Sequence, residues 1–172
     1  LLHQINLYGW LSPASVQIKG DMSWSLRLSN GDFVPSRGSL STARNSTKLI
    51  QDLKCFILQE MGSDGYHPEY GSKLDGGVES GAPVPSLLGQ PSFFAKGEIE
   101  TELKRIIGIY QRQQLIRARQ DQAENGRITL DQGEVLVNLN GISFEQNGDR
   151  LKATISITTG DKSTFEIQVP VG

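Results

Sequence analysis

The sequence predicts an α+β domain in which two helices pack on a small, mainly antiparallel sheet, joined by a long Gly/Pro-rich connection. Three patterns point there. Leu49, Ile50, Leu53, Phe56, Ile57 and Met61 recur at helical spacing. So do Ile99, Leu103, Ile106, Ile107 and Tyr110. From residue 135 to 169 the apolar residues instead alternate, the period of a half-buried strand. At 172 residues and 18.9 kDa the chain fits one domain with one core, 1–172.

The elements follow in order. Residues 1–20 show no sustained period and are taken as an N-terminal extension of unknown structure. Met22, Trp24, Leu26 and Leu28 alternate and meet Asn30-Gly31, a favoured hairpin turn, so a strand with a short return through Phe33-Val34 is expected. The first helix is expected over 44–61, entered through a cluster of possible N-caps at Ser41, Thr42, Asn45 and Ser46 and ended by Gly62. Cys55 and Leu58 fall on the opposite side of its wheel, which suggests a second contact surface. Residues 62–97 hold eight glycines and four prolines and read as one long loop. Tyr66, Tyr70, Leu74, Leu87, Leu88, Phe93 and Phe94 make it an extended segment that packs on something.

The second helix is expected over 98–123, with Glu98, Glu100 and Glu102 in its first turn, where the helix dipole favours negative charge. Gln114 and Arg117 break its apolar line while Ile109 and Ile116 open a rotated one. Its first half therefore reads as core and its second half as a projecting arm, closed by Asn125-Gly126. In the tail, Val135, Val137 and Leu139 change parity to Ile142 and Phe144 across Asn140-Gly141, which suggests a bulge there, with an Asn-Gly hairpin as the competing reading. Leu151, Ala153, Ile155 and Ile157, then Phe165, Ile167 and Val169, complete a three-stranded meander. No internal repeat stands out.

Composition excludes several functions. Seventeen Lys and Arg against nineteen Asp and Glu give a net charge of −2, no footprint for nucleic acid or an anionic membrane. No apolar run reaches the roughly 18–20 residues of a membrane span, and residues 1–4 lack the charge pattern of an export signal, so a soluble protein made in the cytoplasm is expected. With one cysteine, Cys55, and two histidines, His3 and His67, neither a metal site nor a cofactor is expected. Glu60, Asp64 and Glu69 offer the paired carboxylates of a glycoside hydrolase, Glu60 partly buried by its wheel position, yet a structural carboxylate tied to a backbone or arginine partner explains them as well. Neither a nucleophile elbow nor a phosphate-binding loop is present. Cys55 lacks the surroundings of a thiolate and reads as a bystander or an interface contact. The run Arg112 to Gln120, with three arginines and no lysine, suits a partner helix and a solvated face about equally.

Residues 49–74 resemble a known family. A helix, a turn with glycine, and then His67-Pro68-Glu69-Tyr70-Gly71-Ser72-Lys73-Leu74 are similar to the small baseplate wedge subunit of phage tails and of contractile injection systems such as type VI secretion and pyocins, a family formerly labelled lysozyme-like. The order of elements fits over roughly 21–169. Where many members close the second helix with Glu-Pro-Arg, this chain has Tyr110-Gln111-Arg112-Gln113. The resemblance implies a virion structural protein without catalysis, assembled in the host cytoplasm. It would join larger wedge subunits in a helical bundle around a central hub and link that ring to the tail tube or sheath. The old label would instead imply a peptidoglycan hydrolase. Protein-interface residues are expected at Cys55, Leu58, His67, Pro68, Tyr70, Ile109, Arg112 and Ile116.

Overall fold

The computed structural model describes residues 24–29, 32–87, 92–147 and 150–170. Residues 1–20, Met22, the Asn30-Gly31 turn, Leu88 and the side chains of Phe93 and Phe94 lie outside the described part. The architecture is α+β.

The tail forms the sheet that was expected. Strands β10 (Leu136–Asn147), β11 (Arg150–Thr159) and β12 (Thr164–Pro170) form an antiparallel meander in that order. Ala153, Ile155 and Ile157 of the central strand are fully buried, as is Ile167 beside them. Each of the three isoleucines contributes about 1.5–3 kcal/mol by leaving water. The parity change in β10 is a bulge: Leu139 pairs with Ile157 and Gly141 with Ser156, which leaves Asn140 as the extra residue. Its side-chain amide hydrogen-bonds the Thr158 hydroxyl at 2.9 Å and fixes the distortion. A second register shift, between Leu136 and Asn138, was not foreseen.

Two helices lie on the apolar face of this sheet. Helix α1 (Asn45–Leu58) buries Leu49, Leu53, Phe56 and Ile57. Helix α2 (Ser92–Asn125) buries Ala95, Ile99, Leu103, Ile106 and Ile107. Both bounds differ from expectation. Helix α2 begins at Ser92, so Glu98, Glu100 and Glu102 lie beyond its first turn and the dipole does not explain them. Helix α1 stops at Leu58, three residues early: Gln59 takes an extended conformation, and its carbonyl accepts from Ser72 N–H at 2.7 Å instead of from a further helical turn. Glu60 and Met61 then form β7 (Glu60–Met61), and Glu60 is exposed rather than partly buried.

The expected loop over 62–97 is largely structured. It carries β8 (Ser72–Glu79) and β9 (Ala82–Val84), a hairpin whose first strand pairs in parallel with β7. Two glycines permit the tight β7–β8 crossing. A Cβ on Gly62 (φ 75°) would lie 2.3 Å from Val78 O, and one on Gly77 (φ 132°) would lie 2.4 Å from Met61 O. Gly62 thus serves this crossing and not a helix end. Leu74 is buried and Tyr70 and Leu87 pack against the same core, whereas Tyr66 is 93% exposed.

Before α1 the chain builds a module that contradicts the absence of a repeat. Six two-residue strands, β1 (Ser25–Leu26), β2 (Leu28–Ser29), β3 (Asp32–Phe33), β4 (Pro35–Ser36), β5 (Ser39–Leu40) and β6 (Thr42–Ala43), pair as three antiparallel ribbons: β1 with β6, β2 with β3, β4 with β5. Where the ribbons meet, three residues seven apart bond in a cycle. Arg27 N–H donates to Ser41 O (2.8 Å), Ser41 N–H to Val34 O (2.9 Å) and Val34 N–H to Arg27 O (3.0 Å). The sequence carries the same spacing in Leu26, Phe33 and Leu40, in Ser29 and Ser36, and in Asn30-Gly31 and Arg37-Gly38. Arg37 and Gly38 both take positive φ, 33° and 85°, as a two-residue ribbon turn requires. The module seats on α1 through the Gln51 amide, which accepts from Leu28 N–H and donates to Leu26 O, each at 2.8 Å.

Candidate functional site: exposed faces of the helices and the 64–71 turn

The segment that carries the family resemblance is locked to α2 from below. Glu102, almost fully buried, accepts from Arg105 at both carboxylate oxygens (2.7 and 2.8 Å) and from Lys73 N–H at 2.8 Å. Burial opposes ionisation of Glu102, but the Arg105 fork and the Lys73 N–H more than offset it and hold its carboxyl below the ordinary carboxylate value. The same guanidinium donates to Gly71 O (2.8 Å) and Glu69 O (3.2 Å). The turn is further shaped by Tyr70 N–H donating to His67 O and Tyr66 N–H to Asp64 Oδ1, both at 2.9 Å.

Above this clamp stands a ladder of rings. Phe56 meets Tyr70 edge-on with centroids 5.4 Å apart, and Tyr70 stacks on His67 at 4.4 Å. Burial, then the Glu69 and Asp64 carboxylates, raise the Tyr70 phenol above its ordinary value, so it stays a neutral hydrogen-bonding group. His67 and Pro68 are exposed.

The structure sorts the expected interface residues into three groups. Cys55 and Leu58, three apart on α1, are both exposed, Leu58 by 58%. Desolvation and the Asp52 carboxylate raise the Cys55 thiol, which keeps it protonated. His67, Pro68 and Tyr70 share the turn. Ile109, Arg112 and Ile116 share one face of α2 by their spacing, Arg112 exposed and Ile116 48% exposed. Two of the eight contribute to the chain's own core: Tyr70 and Ile109 are half-buried against it.

The expectation that α2 leaves the domain after Tyr110 is corrected. The polar residues that interrupt its apolar line continue the contact by hydrogen bonding. Gln114 donates to Glu134 O (2.6 Å) and accepts from Leu136 N–H (2.9 Å), and Gln111 donates to Val137 O (3.1 Å). Further along, Asp121 accepts from Thr129 N–H at 3.1 Å and from its hydroxyl. A glutamine amide offers both donor and acceptor atoms, which suits unpaired strand backbone better than an apolar side chain does.

A cleft of about 250 Å³ lies between α1 and the middle of α2, lined by Lys48, Asp52, Tyr110, Gln113, Gln114 and Glu134 among others. Lys48 and Asp52 form an ion pair there. Burial, then Asp52 and Glu134, push the Tyr110 phenol far up. Glu134, 2% exposed, accepts the N–H of Asn45 at 3.2 Å. The N-terminus of α1 is thus met from across the fold, and none of Ser41, Thr42, Asn45 or Ser46 acts as its cap, since Arg44 holds the cap position without a side-chain bond. Sequence reasoning missed Glu102, Arg105, Gln111, Gln114 and Glu134. For the glutamines the available signal was polar residues set on the continuation of an apolar stripe.

The three carboxylates considered for hydrolysis lie on or beside the turn. Glu60 is exposed on β7, Asp64 shapes the Tyr66 backbone, and Glu69 stands 4.0 Å from His67 Nδ1. Among the described residues no group of three His, Cys, Asp or Glu gathers as for a metal ion, and no helix is long and apolar enough to cross a membrane. No family model, curated protein or solved structure matches the chain.

Proposed function

We propose that the chain is a structural subunit of a phage tail baseplate, or of the equivalent ring of a bacterial contractile injection system. In this reading it works without catalysis, cofactor, nucleic acid or membrane. It joins larger wedge subunits in a helical bundle around the central hub and ties that ring to the tube or sheath.

The observation that supports it best is the construction of the 64–71 turn. The chain spends a nearly buried carboxylate and a forked guanidinium on holding that turn rigid, and displays its side chains outward: Tyr66, His67 and Pro68 are exposed. Rigid display of aromatic and apolar groups lowers the ordering cost of association, which suits a fixed joint in a large assembly. Leu58 and Ile116 add apolar exposure on the two helices.

The test is a particle image in which the chain is located among its neighbours. Density for it in the ring between tube and wedge proteins, with Tyr66, His67 and Ile116 covered, is the expected result. Its absence from purified tails would sink the proposal.

A further inference from the structure

The meander has two outer edges, and the chain treats them differently. Along β10 the edge is broken by the register shifts around Val137 and Asn140. Helix α2 also occupies backbone groups there, Gln111 at the carbonyls of Leu136 and Val137 and Gln114 at the N–H of Leu136. These are the devices by which natural sheets block further pairing. Strand β12 has neither. Its ladder with β11 runs without a shift from Lys152 opposite Pro170 to Thr158 opposite Thr164.

The phase of that ladder decides which groups of β12 are left. Thr159 N–H donates to Ser163 O at 3.0 Å, and alternation from there turns the N–H and C=O of Phe165, Ile167 and Val169 toward β11. Those of Thr164, Glu166 and Gln168 face away from the sheet. Among the described residues no hydrogen bond reaches them, and all three side chains are exposed.

The residues of β12 are self-complementary about Ile167. With two copies set antiparallel and Ile167 opposite Ile167, Phe165 faces Val169, Glu166 faces Gln168 and Thr164 faces Pro170. Each carboxylate then meets an amide, and the Glu166–Gln168 pairs are those whose backbone groups point outward and exchange both hydrogen bonds. Pro170 has no N–H to give, but its C=O accepts from Thr164. The half-buried Phe165 gains a cover. Moving the register by two in one direction puts Glu166 against Glu166, and in the other puts Glu166 against Pro170, so this alignment is favoured over its neighbours.

We infer that two copies of this chain pair through their β12 edges, antiparallel about Ile167, so that the two meanders form one continuous sheet with twofold symmetry. This does not depend on the baseplate reading.

Sedimentation equilibrium of the purified full chain, from micromolar to near-millimolar, tests it. A monomer–dimer equilibrium is expected. Gln168→Glu sets carboxylate against carboxylate at both pairs and should weaken the dimer roughly tenfold at low salt. The exchanged pair, Glu166→Gln with Gln168→Glu, should restore it. Gln168→Pro removes an N–H that no strand of the monomer uses and should abolish the dimer with the circular dichroism spectrum retained. A chain that stays monomeric throughout, a dimer indifferent to Gln168→Glu, or an exchange that restores nothing overturns the inference. So does a monomer that binds an extended peptide at this edge instead. Should Gln168→Pro fail to fold, the two charge variants alone decide.

Discussion

Arg105 and Glu102 stand one turn apart on α2 and meet as a fork, Nε on Oε2 at 2.8 Å and Nη2 on Oε1 at 2.7 Å, with the backbone of residues 69–73 strapped across them. The pair is less a salt bridge between helix residues than a clamp on a distant segment.

Stability should carry its signature. The folded carboxyl of Glu102 lies below the unfolded value of roughly 4.3, so its contribution is complete above that pH and is lost as pH falls through the folded value. Glu102→Gln should cost roughly 2–4 kcal/mol at neutral pH by stranding the Arg105 charge and weakening the hold on Lys73. The gap between wild type and variant should narrow below about pH 4. Denaturant melts of both proteins across pH 3–7 check this, and a gap that stays constant would contradict it.

Gln114 closes two backbone groups of the strand entry with one amide. Gln114→Ala should destabilise by roughly 1–3 kcal/mol, and Gln114→Leu should not recover the loss, because volume is not what the site lacks. Urea melts with unchanged slope are the measurement. Full rescue by leucine would mean that the contact is hydrophobic.

At Gly62 any side chain meets the Val78 carbonyl, in a backbone conformation that L residues rarely adopt. Gly62→Ala should therefore cost roughly 3 kcal/mol or more, well beyond the ordinary surface glycine effect. Gly38, with open space around its Cβ position, bears only the conformational part and should lose about 1 kcal/mol on the same change. Thermal melts of the two variants side by side read the difference.

Ile116→Asp should leave the fold nearly untouched, within about 0.5 kcal/mol, because the side chain stands half in water. Under the baseplate reading it should block tail assembly by setting an unpaired charge in an apolar joint. Ile109 is a poor probe of that joint, since its truncation also disturbs the core. Normal tails from Ile116→Asp would remove α2 from the interface.

Much of the core could be read from the chain because burial leaves a period. The stripe of α1, the first half of α2 and the alternation of Leu151 to Ile157 all reappear as buried residues. The bulge at Asn140 could be read because a parity change has few other causes. Signals failed where hydrogen bonding replaced burial. Strands β8 and β9 hid in glycine and proline composition, though the glycines are there to let strands cross closely. Gln111 and Gln114 looked like departures from the domain when they satisfy its backbone. The exposed positions Leu58 and Ile116 follow from helical spacing, while Glu102 and Arg105, which hold the 64–71 turn, bond to a segment about 30 residues away that no local period announces.

The ribbon module at 25–43 has a mechanical consequence. Because β1 pairs with β6, Ser25 opposite Ala43, the chain enters and leaves the module at the same end. Tension between the residues before Ser25 and helix α1 therefore loads that ribbon as a zipper, one bond at a time, and not in shear. The two backbone bonds of Gln51 lie behind it as a stop. Once the three ribbons open, the released residues extend by about 60 Å at the span of an extended chain. Opened from that end, the module would lengthen the connection between Ser25 and α1 without disturbing the core.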